Sequence, residues 1–236
     1  MTLSPTHPPN PVTIAGPLPP FILPLRNAIR IGDKTVTRRV LKPQPPTHAH
    51  LVQCAGNIGP DTPGSKTDTL SYGAEFRTDT GEQVFYRSRY GIPGECRYLR
   101  EPLARGQDGN AYYLDDNQPV LDQLRQPVPW RWKVSRLAQL YMPAEFARTL
   151  VVIRAIRVEQ LCRITATDAV AEGIRAQVCL PGDADPHSSE STASARQQVR
   201  YEFQLLWDSL NAERGFSWES NPWVWAIAFA RHPGKD

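Results

Sequence analysis

The stretch Thr149-Leu150-Val151-Val152-Ile153-Arg154-Ala155-Ile156-Arg157-Val158 decides the fold class. Its aliphatic run from Leu150 to Ile153 gives way to alternation through Ile156 and Val158, the pattern of a strand buried among other strands, and it predicts a central strand over 149–158. Just downstream, Thr165 precedes Asp168 by three residues and Gly173 closes the segment, which predicts a short capped helix from Ala166 to Glu172. Further on, Val199, Phe203, Leu206 and Leu210 recur at spacings of four, three and four, one apolar face of a long helix over 195–214. Trp223 to Arg231 then alternates Trp223, Trp225, Ile227 and Phe229 with Val224 and three alanines, large residues against small, as a tight curved sheet or small barrel requires.

Upstream of the central strand the elements are shorter. Ile22, Leu25 and Ile29 have roughly helical spacing, and Gly32 suits a left-handed cap, so 21–31 reads as a helix. Lys34 to Leu41 is rich in β-branched residues and reads as a strand. Ala74–Thr78 and Gln83–Ser88 flank the turn-forming Asp79-Thr80-Gly81-Glu82 and predict a hairpin. Cys96–Arg100 and Ala111–Leu114 are further strand segments. Strands and helices mixed in this order indicate an α+β architecture.

Eight prolines fall within the first 24 residues, a density that neither continues a helix nor donates to a sheet ladder, so residues 1–20 read as a disordered Pro-rich tail. Residues 47–70 and 181–194, polar and without a period, read as irregular insertions in a single domain over 21–232. The net charge of +3 on 236 residues permits an anionic partner but only through a local pocket or patch. The four cysteines lie far apart, without the paired spacing of a zinc site or a disulfide framework, so no metal and no cofactor is expected. No apolar run approaches the length of a membrane helix, and no signal-type leader is present, which predicts a cytoplasmic protein with reduced thiols.

The segment Gly32-Asp33-Lys34-Thr35-Val36-Thr37-Arg38-Arg39 resembles the opening signature of ASCH domains, in which a helix ends in glycine and Lys-Thr-x-Thr-Arg begins the first barrel strand. Three later segments resemble the larger, prophage-associated members. These are Tyr90-Gly91-Ile92-Pro93-Gly94-Glu95 leading into Leu99-Arg100-Glu101, Met142-Pro143 followed by Ala147-Arg148, and Trp207-Asp208-Ser209-Leu210-Asn211 leading to Asn221-Pro222-Trp223-Val224-Trp225. The resemblance covers roughly residues 21–45 and 85–231. It departs from the family at Glu95 and Tyr98, where an aspartate and a tryptophan are expected. It implies a PUA-like, mixed-strand β-barrel with flanking helices that binds RNA, single-stranded DNA or a modified nucleoside.

By the same resemblance the chain is similar to amidohydrolases that remove an acyl group from the exocyclic amine of cytidine, and motif position assigns the catalytic roles to Lys34, Thr37 and Glu172. The chemistry is sound in itself. A threonine hydroxyl attacks an amide carbonyl only if a neighbour takes its proton, and a lysine takes it only if burial or nearby cations such as Arg38 and Arg39 depress its pKa. Glutamate then relays the proton to the leaving amine or anchors the substrate. One geometric condition applies: in an ideal strand Lys34 and Thr37 point to opposite faces, so they converge only if Lys34 belongs to the preceding turn. Glu172, in the last turn of its helix, opposes the macrodipole, a placement that hints at function.

Ligand-binding candidates are Thr35, Arg38, Arg39, Arg100, Glu101, Trp132, Arg148 and Asn221. Arg38, Arg39, Arg100 and Arg148 have the paired donors that phosphate oxygens accept from, although ordinary rim charge is the alternative. Trp223 and Trp225 read as core, whereas Trp130 and Trp132 lie in a Pro-rich basic stretch and read as exposed and able to stack a base. Two other classes stay open beside the hydrolase. One is a non-catalytic reader of a flipped or single-stranded base. The other is a phage-associated assembly factor that engages a protein partner through the N-terminal tail.

Overall fold

The computed structural model describes residues 13–56, 72–174 and 189–233. In chain order its strands are β1 (Ile14–Pro17), β2 (Val36–Val40), β3 (His50–Gly56), β4 (Tyr72–Arg77), β5 (Gln83–Arg87), β6 (Cys96–Tyr98), β7 (Leu103–Arg105), β8 (Ala111–Tyr113), β9 (Arg136–Leu137), β10 (Leu150–Gln160) and β11 (Trp223–Arg231). The helices are α1 (Leu23–Ile31), α2 (Ala166–Ala171) and α3 (Ser189–Asn211). The architecture is α+β, with a five-stranded mixed sheet in the order β1-β6-β10-β11-β2 and two three-stranded antiparallel sheets, β3-β4-β5 and β8-β7-β9. Among the described residues these three ladders do not join into one closed barrel.

β10 is the central strand of the large sheet, as its sequence predicts, flanked by β6 and β11. Its pairing with β11 slips between Ile153 and Ala155, so Arg154 and Ala155 are both exposed. The bulge is why Ile153 and Ile156, three residues apart, both enter the core that alternation alone would split. That core lies between the large sheet and the β3-β4-β5 meander: Val151, Ile153, Ile156, Val158, Trp225, Ile227 and Phe229 face Ala74, Phe76 and Tyr86. A second core joins β6 and the start of β10 to the β8-β7-β9 sheet through Tyr98, Leu103, Tyr113, Phe146 and Leu150. A third packs α2 and α3 against β11, with Ala169, Val199, Phe203 and Trp207 around Val224.

Two segments depart from expectation. Residues 13–20, read as part of the tail, include the edge strand β1, parallel to β6, and Leu18 and Phe21 beyond it are buried. Prolines are tolerated there because an edge strand pairs on one side only, and the amide of Leu18 still reaches the Tyr98 carbonyl at 2.8 Å. Within 47–70, read as an irregular insertion because the stretch as a whole is polar and without a period, His50–Gly56 forms β3 by pairing with β4. Residues 1–12, 57–71 and 175–188 lie outside the described residues, and with them most of the expected tail and the greater part of both insertions; residues 189–194 of the second are helical. No helix among the described residues is long and apolar enough to cross a membrane.

Two of the expected binding residues, Glu101 and Arg148, help to hold this framework together. Arg148 donates to both oxygens of Glu101 and to Asp116, and its guanidinium lies 3.8 Å from the centroid of the Tyr113 ring. Glu101 is fully buried in that cluster, so neither residue is a free rim charge. The Tyr113 hydroxyl donates to the Phe146 carbonyl at 2.6 Å, and burial pushes the phenol up to about 12, opposed by Arg148. The folded-state value therefore exceeds the unfolded value of about 10, so the stabilisation is complete below about pH 10 and is lost as pH rises through about 12. The unfolding free energy from urea titrations is expected to fall more steeply over this range in the native chain than in Tyr113→Phe, by on the order of 2 kcal/mol; parallel profiles would contradict the assignment.

Candidate functional site

The site begins where α1 ends. Gly32 caps α1 in the left-handed conformation (φ 87°), its amide returning to Ile29. The chain then passes through Asp33, Lys34 and Thr35 before β2 begins at Val36. Lys34 thus belongs to the turn, the condition under which it and Thr37 can address one site. The amide of Thr35 donates to the Ala171 carbonyl at 2.8 Å and its own carbonyl accepts from Phe229, which ties the C-terminal end of α2 to the start of β2 and to β11. Thr165 caps α2 by accepting from the Asp168 amide, as its sequence predicts. Behind Glu172, Gly173 (φ 88°) packs against α1 and the turn: a Cβ there would lie 3.3 Å from the Cβ atoms of Ala28 and Lys34.

This framework brings Lys34 and Glu172 into a buried ion pair. Lys34 Nζ donates to Glu172 Oε2 at 2.6 Å, to the Glu172 carbonyl at 2.7 Å and to the Val36 carbonyl at 2.7 Å, which uses all three ammonium protons. The cation sits against the carbonyl end of α2 and offsets the unfavourable placement of the Glu172 carboxylate at that pole. The other Glu172 oxygen accepts from Arg38 Nη1 at 3.2 Å. Arg38 also donates to Glu159 Oε1 from Nε (2.9 Å) and Nη2 (2.6 Å) and to Asp168 Oδ2 (2.6 Å), and Arg157 closes the ring by pairing with both Glu159 and Asp168. Burial pushes the Lys34 ammonium below the ordinary lysine value; Glu172 opposes that shift, and Arg39 and Arg38 add to it.

Lys34, Thr37 and Glu172 all line one cleft of about 1020 Å³, with Arg38, Arg39 and Arg100 also in its walls. The three are 1%, 3% and 5% exposed, so only a small part of each is open to a ligand. Phe21 and Tyr90 line the same cleft, with the Arg39 guanidinium 4.8 Å from the Phe21 ring centroid. Arg87, Arg89, Lys42 and Arg214 line it as well, although nothing in their local sequence marks them out.

The structure sorts the other candidates. Thr35, Glu101, Trp132, Arg148 and Asn221 do not line this cleft. Thr35 acts through its backbone, as described. Trp132 is half-buried against Trp130 and Phe146 at the edge of the second core, rather than exposed for stacking. Asn221 accepts from the Cys162 amide at 2.8 Å and holds the turn before β11. Trp225 is buried as expected, while Trp223 is half-buried, edge-on to Phe76. Asp168 and Glu159, which neutralise Arg38, were missed. Asp168 is visible in the sequence only as a capping residue, and Glu159 only as the polar end of a strand. Among the described residues no group of three or more His, Cys, Asp or Glu side chains is placed to hold a metal ion. Comparison with protein-family models, with curated proteins and with solved structures finds no match to this chain.

Proposed function

We propose that this chain is an ASCH-type, PUA-like protein whose cleft binds a nucleic acid or modified nucleoside and hydrolyses an amide on the exocyclic amine of an acylated cytidine. The observation that carries this reading is the convergence of Lys34, Thr37 and Glu172, spread over 138 positions of sequence, on one cleft walled by arginines. The five-stranded mixed sheet covered by the β3-β4-β5 meander supports the PUA-like assignment.

In the proposed reaction Lys34 passes a proton to the Glu172 oxygen 2.6 Å away and becomes an amine. Thr37 Oγ1 bonds to the acyl carbon while its proton goes to Lys34. The bond from that carbon to the exocyclic nitrogen breaks as Lys34 returns the proton to the leaving amine. Water then splits the acyl-threonine ester, releasing a carboxylic acid and restoring the hydroxyl. Purified protein incubated with N4-acetylcytidine is expected to yield cytidine and acetate in equal amounts. Absence of both with protein in excess over substrate would remove the hydrolase reading.

One observation favours a second reading, a reader without catalysis. All three Lys34 ammonium protons are held by protein acceptors, the arrangement of a structural ion pair. Such a protein would bind single-stranded RNA or DNA saturably, more weakly as salt is raised, and release no product.

A further inference from the structure

The cations of the cleft fall into two groups. Lys34 and Arg38 are neutralised by Glu172, Glu159 and Asp168. Arg39 and Arg100, like Lys42, Arg87, Arg89 and Arg214, make no ion pair among the described residues. Each is anchored by one hydrogen bond to a backbone carbonyl, Arg39 Nη2 to Pro20 at 2.8 Å and Arg100 Nη1 to Leu140 at 3.0 Å. The two anchors are neighbours, because the Phe21 amide donates to the Gln139 side chain at 3.4 Å. The Nε atoms of both arginines are buried without a hydrogen-bond partner, in a chain whose only other such described atom is Nε of Arg97.

Each guanidinium spends one N–H on a backbone carbonyl and has no acceptor among the described residues for the rest of its fork, and two such unneutralised cations carried on touching segments of one cleft favour an anion. Guanidinium groups present planar paired donors, the geometry that phosphate oxygens match. We infer that Arg39 and Arg100 grip a phosphate group of the ligand, so that the cleft takes a phosphorylated nucleotide in preference to a free nucleoside. The inference rests on the proposed base-binding role of the cleft for the rest of the ligand, but the anion site stands on its own observations. The phosphate has two sources, a terminal monophosphate or an internal phosphodiester of a single strand.

Calorimetric titration of the full chain at low salt with cytidine, cytidine 5′-monophosphate, tricytidylate and inorganic phosphate tests this. The monophosphate is expected to bind about 10-fold or more tightly than cytidine, an advantage that shrinks as salt rises. Arg39→Met and Arg100→Met are each expected to bring that ratio toward one, and Arg39→Lys to recover only part of it, since an ammonium lacks the planar fork. Tighter binding of tricytidylate than of the monophosphate assigns the phosphodiester; weaker binding assigns the terminal group. If cytidine fails to bind but inorganic phosphate binds and is lost in Arg39→Met, the anion site stands and the base-binding reading falls. Equal affinity for cytidine and its monophosphate, or a ratio that survives both methionine variants, overturns the inference.

Discussion

Glu172→Ala is expected to lower the unfolding free energy by about 3 to 5 kcal/mol, a large share of the stability of a domain this size. The carboxylate accepts from Lys34 on one oxygen and from Arg38 on the other, and its side chain is only 6% exposed. Arg38 keeps Glu159 and Asp168 after the substitution, so the larger cost falls on Lys34. Its ammonium would retain two backbone carbonyls but no counter-charge at 1% exposure, and it would shed its proton or admit water. Adding Lys34→Met removes the stranded charge, and the double variant is expected to recover at least half of the loss in urea unfolding. A single-variant loss below about 1 kcal/mol would show that the pair is better solvated than its burial indicates.

Thr37→Ala is expected to abolish turnover of N4-acetylcytidine, a fall of at least about 10³-fold in kcat, while the protein stays folded. Thr37 lies in β2 opposite Ile227 of β11, and alanine keeps the strand pairing and removes one hydroxyl and one methyl, so the stability change should be about 1 to 2 kcal/mol. Thr37→Ser retains the hydroxyl and should keep measurable turnover, which separates loss of the nucleophile from a packing defect. Activity in Thr37→Ala equal to the parent would exclude Thr37 as nucleophile and leave the Lys34–Glu172 pair to act on a bound water, or not at all.

These two variants probe different layers of one site, and the layers were not equally legible beforehand. Thr37 and Lys34 stand three residues apart, and the glycine cap that puts Lys34 in a turn is written beside them. The partners of Arg38 are not. Its bonds to Glu159, Asp168 and Glu172 span 121, 130 and 134 positions. No local pattern says which of the arginines predicted to meet phosphate will instead be consumed by carboxylates. Arg148 met Glu101 and Asp116 and joined the framework, while Arg39 and Arg100 met no carboxylate among the described residues and kept donors to spare.

Elements whose signals act within a few residues are specified locally: the central strand by its aliphatic run, the long helix by its apolar period, α2 by its threonine cap and the end of α1 by Gly32. Tertiary structure alone decided that a proline-rich segment serves as the edge strand β1, that His50–Gly56 pairs with β4, and that Trp132 packs where a stacking surface was expected. It also decided which cations are neutralised. The physical reason is range: dihedral preference and periodicity are properties of neighbours along the chain, whereas burial and charge pairing depend on residues distant along it, as far as 138 positions for Lys34 and Glu172, that only the folded sheets bring together.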